Sequence, residues 1–199
     1  MNPQTIILMG RSGCGKGTQA KLVQEYLKQI DPNREIFYLE TGQQFRDFIS
    51  QNTYTSNLSK KIMESGDLQP AFLAIHIWSH VFIEQMKGNE NMVLDGTPRT
   101  LSEIEALDTA FKFYSRETPT VFVIDVSKEW SKTRLLERGR IDDSRAGDME
   151  KRLEWFDTDV VPAIRHMQEA KLYNVVTING EQSIEKVHAD IVAVLEANK

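Results

Sequence analysis

The chain has 199 residues, enough for one full core and too few for two independent domains. Its 40% hydrophobic and 27% charged residues suit an ordinary globular protein, and a net charge of −5 argues against a nonspecific nucleic-acid binder. The single cysteine, Cys14, excludes an internal disulfide framework and a multi-cysteine zinc site, so no zinc is expected.

In chain order, short apolar runs alternate with amphipathic stretches. Runs at Thr5–Met9, Ile36–Leu39, Met92–Leu94, Thr120–Val126 and Val175–Ile178 predict strands, several apolar throughout, as in parallel sheets covered on both faces. Helical periodicity predicts helices at Gly17–Gln29, Leu101–Tyr114, Lys128–Glu137, Met149–Ala170 and Ser183–Ala197. This alternation predicts an α/β fold, a doubly wound five-stranded parallel sheet. The link from Glu40 to Met92 is too long for a simple crossover. Helical patterns at Gly42–Ser50, Asn57–Ser65 and Pro70–Met86 fill it, which predicts a small inserted helical lobe. A second irregular stretch, Gly139–Gly147, joins two helices and carries Arg140 and Arg145 beside Asp142 and Asp143. The richest apolar stretch, Ala71 to Ile83, is interrupted by His76, Ser79 and His80 and falls short of the ~20 residues that span a bilayer. Thr5–Met9 is too short for a signal-peptide core, so the cytoplasm is the expected location and no membrane partner is expected.

The segment Gly10-Arg11-Ser12-Gly13-Cys14-Gly15-Lys16-Gly17-Thr18 follows a strand and opens a helix, the context a phosphate-binding loop requires. Glycines let the backbone curl and aim successive N–H groups inward, and the helix N-terminus adds partial positive charge. Ser12, Gly13, Cys14, Gly15, Lys16, Gly17 and Thr18 are therefore expected to hold a nucleoside triphosphate. Lys16 reaches the terminal phosphates, and Thr18 offers a hydroxyl to phosphate or to a Mg²⁺ shell. The general pattern wants Ser or Thr directly after the lysine, where Gly17 stands here. Cys14 reads as loop filler.

From this loop onward the chain resembles the adenylate kinases among the nucleoside monophosphate kinases, whose Gly-x-x-Gly-x-Gly-Lys-Gly-Thr-Gln variant accounts for Gly17. The resemblance covers nearly the whole chain. It implies a P-loop NTPase-type sheet, a lobe at about residues 41–70 that binds the monophosphate, and a very short lid at 139–147. It also implies reversible phosphoryl transfer from MgATP to a monophosphate. Thr41-Gly42 and Phe45-Arg46 resemble the monophosphate segment, with Thr41 near the acceptor base and Arg46 on its phosphate. Asp95-Gly96-Thr97-Pro98-Arg99 resembles the family's Asp-Gly-Phe-Pro-Arg, with Thr97 replacing an aromatic residue. Asp95 would act through the water shell of Mg²⁺, while Gly96 and Arg99 would face the acceptor. Arg134, Arg138, Arg140 and Arg152 resemble the arginines that clamp the donor and the transferring group, with Arg145 in a variable stretch. Of these, Arg134 and Arg138 are assigned to ATP, and Arg140 and Arg152 also to the acceptor. Gly180, after Asn179, resembles the edge of the donor adenine site, although Asn-Gly is also a common turn.

The family's base-reading glutamine is replaced by Glu103. An ionised glutamate only accepts, so it suits the adenine amine but faces the N1 lone pair, and guanine would suit it better. Thr100-Leu101-Ser102-Glu103 also fits a capping box that turns Glu103 back on its own helix. The expected reaction is ATP + AMP = 2 ADP. The alternatives are transfer to GMP or another monophosphate, and a non-catalytic nucleotide-binding switch or scaffold. The expected partners are ATP, AMP and ADP with Mg²⁺, bound by a monomer, with no nucleic acid. His76 and His80 share a helix face at a spacing able to bind metal, but no third ligand accompanies them.

Overall fold

A computed structural model describes residues 2–116, 118–138 and 146–197, with the side chains of 138 and 146–148 excepted. Five strands form one all-parallel sheet: β1 (Thr5–Met9), β2 (Ile36–Glu40), β3 (Asn91–Asp95), β4 (Thr120–Asp125) and β5 (Asn174–Asn179). They lie in the order β2-β3-β1-β4-β5. Parallel strands need crossovers, and helices supply them. These are α1 (Lys16–Ile30), α2 (Thr41–Ile49), α3 (Tyr54–Glu64), α4 (Ala71–Gln85), α5 (Leu101–Phe113), α6 (Lys128–Arg138), α7 (Ala146–Trp155), α8 (Val161–Ala170) and α9 (Ile184–Ala197).

The alternation of β1 builds both faces of the core. Ile7 and Met9 enter a cluster with Trp78 and Phe82 of α4, Ile104 and Leu107 of α5, and Ile164 and Met167 of α8. Ile6 and Leu8 point the other way, into Ala20, Val23 and Leu27 of α1 and Val187, Ile191 and Leu195 of α9. Covered on both sides, β1 and β3 are buried at every position, whereas β2 alternates buried and half-buried residues at one edge of the sheet.

The expected strands and helices all form, with one difference. The stretch read as a single helix over Met149–Ala170 is interrupted by a π-helical turn at Phe156–Val160. Pro162 has no N–H to bond the Thr158 carbonyl, so a regular α-turn cannot close there and the backbone widens just before it. The Val161 N–H bonds the Phe156 carbonyl instead.

Between β2 and β3, α2 and α3 stand outside the sheet. Phe45 of α2 packs with Leu73, Ala74 and Ile77 of α4 in a small separate cluster, with Phe48 and Met63 at its margin. Helix α3 is started by Thr53 and Ser56, each side chain bonding the other's backbone N–H. Helix α4 thus serves two cores, one face on the sheet and the other under α2.

At the N-terminal edge of the sheet, Arg116 donates to the Glu90 carbonyl at 2.7 Å and to Glu90 Oε1 at 2.9 Å. Their side chains are 2% and 4% exposed. Removing one partner of such a pair leaves a buried, uncompensated charge. Arg116→Met should therefore lower the unfolding free energy by about 3–5 kcal/mol, measured by urea denaturation. An unchanged midpoint would show the pair to be dispensable.

Candidate active site

Parallel strands bring all their C-terminal ends to one edge, and ligands bind outside it. The register places Leu8 and Glu40 opposite Asp95, and Asp125 opposite Asn179. Three stretches meet there: the loop after β1, the turn after β3 and the start of α2.

The loop after β1 needs its glycines. Gly10 has φ +143°, and a Cβ there would lie 2.4 Å from the Ile124 carbonyl oxygen and 2.7 Å from Cys14 Sγ. At Gly13, φ +87°, a Cβ would lie 2.9 Å from the Ser131 carbonyl oxygen of α6. Strand β4 and helix α6 thus press the loop into shape. Gly15 caps α1 in the left-handed conformation, leaving the helix N-terminus open to the cleft. Lys16 Nζ donates to the carbonyls of Gly10 at 2.7 Å and Arg11 at 3.0 Å. Cys14 is buried and packs into the core beneath the loop. A Cβ on Gly17 would stand 3.5 Å from Asp95 Oδ2, in ordinary contact, which places the first turn of α1 beside the carboxylate.

A cleft of about 680 Å³ opens over these elements. Ser12, Gly13, Cys14, Gly15, Lys16, Gly17 and Thr18 line it on one side, with Gly180 and Arg134. Gly42, Arg46, Asp95, Gly96, Arg99 and Arg152 line it on the other. A second cavity of about 80 Å³ shares Ser12, Gly42, Arg46, Arg99 and Arg152 with the cleft and continues between Phe45, Met63, Gln69 and Trp155.

The charges in the cleft are arranged for anions. Arg99 is partly buried, donates Nε to the Gly96 carbonyl at 2.7 Å and lies over the Trp155 ring at 5.4 Å. Burial pushes its pKa down, the nearby Arg152 and Arg46 add to that, and Glu103 and Asp95 oppose it. Arg46 is held by Glu40 at 2.6 Å and by Gln43 at 2.9 Å. Arg134 is more exposed, stacked on Trp130 at 5.1 Å. Asp95 is buried and its pKa is raised. Burial is the largest cause, Glu40 adds to it, and Lys16, Arg99 and a bond from Tyr38 pull the other way.

Two expected acceptor residues lie outside both cavities. Thr41 is 1% exposed, and its Oγ1 has no hydrogen-bond partner among the described residues. Glu103 is 2% exposed. Its Oε2 accepts from Thr97 Oγ1 at 2.9 Å, its Oε1 accepts from Thr100 Oγ1 at 3.3 Å, and Thr100 caps its backbone N–H. The two departures from the family pattern, Thr97 and Glu103, are therefore partners of each other. Gly139, Arg140, Asp142, Asp143, Arg145 and the side chain of Arg138 lie outside the described residues.

Other residues at the site gave no signal in the sequence. Arg11 bonds Asp157 at 2.6 Å and lies over the Phe156 ring at 4.5 Å, tying the loop to the π-turn. Lys128 reaches the same carboxylate at 2.8 Å. Trp155 donates to the Gly66 carbonyl at 3.1 Å, and Lys151 reaches Asp67 at 3.3 Å, so α7 touches the turn after α3. No sequence spacing marks these pairs, because each joins distant segments.

Among the described residues, no three or more His, Cys, Asp and Glu side chains cluster tightly enough to hold a metal by themselves, and no helix is long and apolar enough to cross a membrane. Comparison with known proteins agrees with the geometry. The family model described as adenylate kinase matches residues 8–172. An adenylate kinase of Flavobacterium psychrophilum is 30% identical over 186 residues, covering 92% of this chain and 93% of that protein. One from Bacteroides fragilis is 30% identical over 191 residues, covering 94% and 95%. Adenylate kinase 1 of a Nostoc species is 29% identical over 190 residues, covering 96% and 97%. With a loop, an acidic strand end and an arginine set in one cleft, and a family match over most of its length, the chain belongs to the adenylate kinase family.

Proposed function

We propose that the two sides of this cleft are the two halves of one phosphoryl-transfer site, with ATP on the Gly10–Thr18 side and AMP on the Arg46 side. The chain is a phosphotransferase that moves a phosphoryl group from ATP to AMP, and family membership does not favour GMP or a non-catalytic role. The observation that carries the residue assignment is the convergence of Arg46, Arg99 and Arg152 on the cleft that Lys16 lines. Like charges gathered in a partly buried site cost free energy unless anions enter between them.

In this reading the loop amides from Gly13 to Thr18 and Lys16 hold the β- and γ-phosphates, and Arg134 and Gly180 flank the donor. Arg46 and Arg99 hold the acceptor phosphate, and Arg152, lining both cavities, faces the group in transit. The acceptor phosphate takes the place of Glu40 on Arg46. Transfer then needs in-line placement and stabilisation of spreading charge, and the monophosphate, already an anion, needs no base. Residues 41–70 form the acceptor lobe. Contacts of Trp155 and Lys151 with Gly66 and Asp67 hold the lobe against α7 and help exclude water.

The residues also fit Mg²⁺. The buried carboxylate of Asp95 lies beside the first turn of α1, where the loop ends. Mg²⁺ keeps several waters and takes few protein ligands besides substrate phosphates. Asp95 would hold that water shell, with the Thr18 hydroxyl near it. When bound, the ion neutralises phosphate charge. The single cysteine and the use of MgATP support a cytoplasmic location.

A coupled assay of MgATP with AMP, GMP, CMP and UMP tests the activity. AMP should be the preferred acceptor, and transfer to none of the four would overturn the reading. Lys16→Met should lower turnover at least ~10²-fold with an unchanged circular dichroism spectrum, and near-normal turnover would remove Lys16 from the site. Asp95→Asn tests the acidic strand end by a trade of activity for stability. A carboxyl whose pKa is raised by the fold destabilises the fold when ionised, and this cost shrinks once pH falls below the raised value and is gone below the ordinary carboxylate value. At neutral pH the nucleotide-free Asn variant should melt about 2–4 °C higher than the wild type, with the gap narrowing in acid, while MgATP turnover drops. A variant less stable at neutral pH would contradict this account of Asp95.

A further inference from the structure

We propose that Arg11 is a positioning residue for phosphoryl transfer: it ties the loop that holds Lys16 to the last turn of α7 and so sets where Arg152 stands. The inference rests on the roles proposed above for Lys16 and Arg152.

Arg11 reaches in two directions. Its backbone carbonyl accepts from Lys16 Nζ at 3.0 Å. Its guanidinium holds the end of α7. Nη1 donates to the Leu153 carbonyl at 3.3 Å and Nη2 to Asp157 Oδ1 at 2.6 Å, while the group lies over the Phe156 ring at 4.5 Å. Leu153 directly follows Arg152, and Arg152 lines both cavities. A shift of the Leu153 backbone therefore carries Arg152 with it. Arg11 lines neither cavity, so it acts through the placement of Arg152 and not by touching a nucleotide.

The contacts suit an arginine and no other cation. A planar fork of N–H groups holds a carbonyl and the carboxylate four residues later in one fixed geometry, whereas a lysine ammonium is a single point on a flexible stem. The Arg11 side chain is only 15% exposed, so the pair is less screened than a surface ion pair. Burial works to raise the pKa of Asp157, but hydrogen bonds from Arg11 and Lys128 outweigh it and hold the carboxyl below its ordinary value. Apolar packing at this turn is slight, a cluster of Leu153 with Leu135 and Met149. The guanidinium contacts are what fix the turn against the loop.

The test measures kcat, KM for MgATP and AMP, and melting temperature in the wild type, Arg11→Met, Asp157→Asn, Arg152→Met and the double variant Arg11→Met/Arg152→Met. Arg11→Met should lower kcat about tenfold and keep KM for MgATP within about threefold, because lost alignment is felt in the transition state. Asp157→Asn should lower kcat about threefold, since a neutral amide grips the fork less firmly. In the Arg152→Met background, Arg11→Met should cost less than about twofold more. A merely structural role would lower the melting temperature with kcat unchanged, or cost the same factor with and without Arg152, and either result overturns the inference. A charge acting directly on the phosphates would leave kcat of Asp157→Asn at or above the wild-type value, which overturns it too. If Arg11→Met does not fold, Asp157→Asn with and without Arg152→Met makes the same comparison. Full turnover in Arg152→Met would remove Arg152 from the proposed site and this inference with it. An impaired Arg152→Met beside a fully active Arg11→Met contradicts this inference alone.

Discussion

The pairing of β1 with β3 is the constraint on which the rest depends. It sets Leu8 beside Asp95 and so puts the acidic end of one strand over the first turn of the helix that follows the other. A phosphate loop without that neighbour would be a generic anion cradle. A carboxylate without the loop would be a buried charge offset only by Arg99 and Tyr38. Side by side they give the proposed meeting point of a hydrated cation and a triphosphate, with the Gly17 backbone next to the carboxylate. The burial that raises the pKa of Asp95 is the energetic trace of this arrangement, a cost carried by the fold for the site's sake.

Around that pair the molecule is built asymmetrically. In the proposed reading the donor side is loop backbone squeezed between the Ile124 carbonyl and α6. The acceptor side then hangs on α2 and α3, which share a small core with one face of α4 and meet α7 through Trp155 and Lys151. A lightly anchored lobe suits a substrate that must enter, be enclosed and leave, while a fixed loop suits the phosphates whose geometry governs transfer.

The strands were readable because parallel, doubly covered strands are apolar throughout, as in Ile6–Met9 and Met92–Leu94, and because glycines mark the loop. Their order came only with the fold. The π-turn was hidden, since Phe156–Val160 keeps helical periodicity and only Pro162 hints at the break. Position 103 shows the deeper limit. Its residue type pointed to guanine, but its meaning depends on a hydroxyl six residues earlier, and the substitution at Thr97 became intelligible only with both side chains in place. Arg11 was silent for the same reason. Asp157 and Phe156 are contacts made by folding, not by spacing.

The central claim is that one cleft holds both nucleotides with their phosphates facing. An analogue joining two adenosines through five phosphates probes this directly, since it spans both halves at once. Isothermal titration in the presence of Mg²⁺ should give one analogue per chain, bound at least about 10²-fold more tightly than ATP or AMP alone. Two analogues per chain, or an affinity no better than that of ATP, would contradict a single two-nucleotide site.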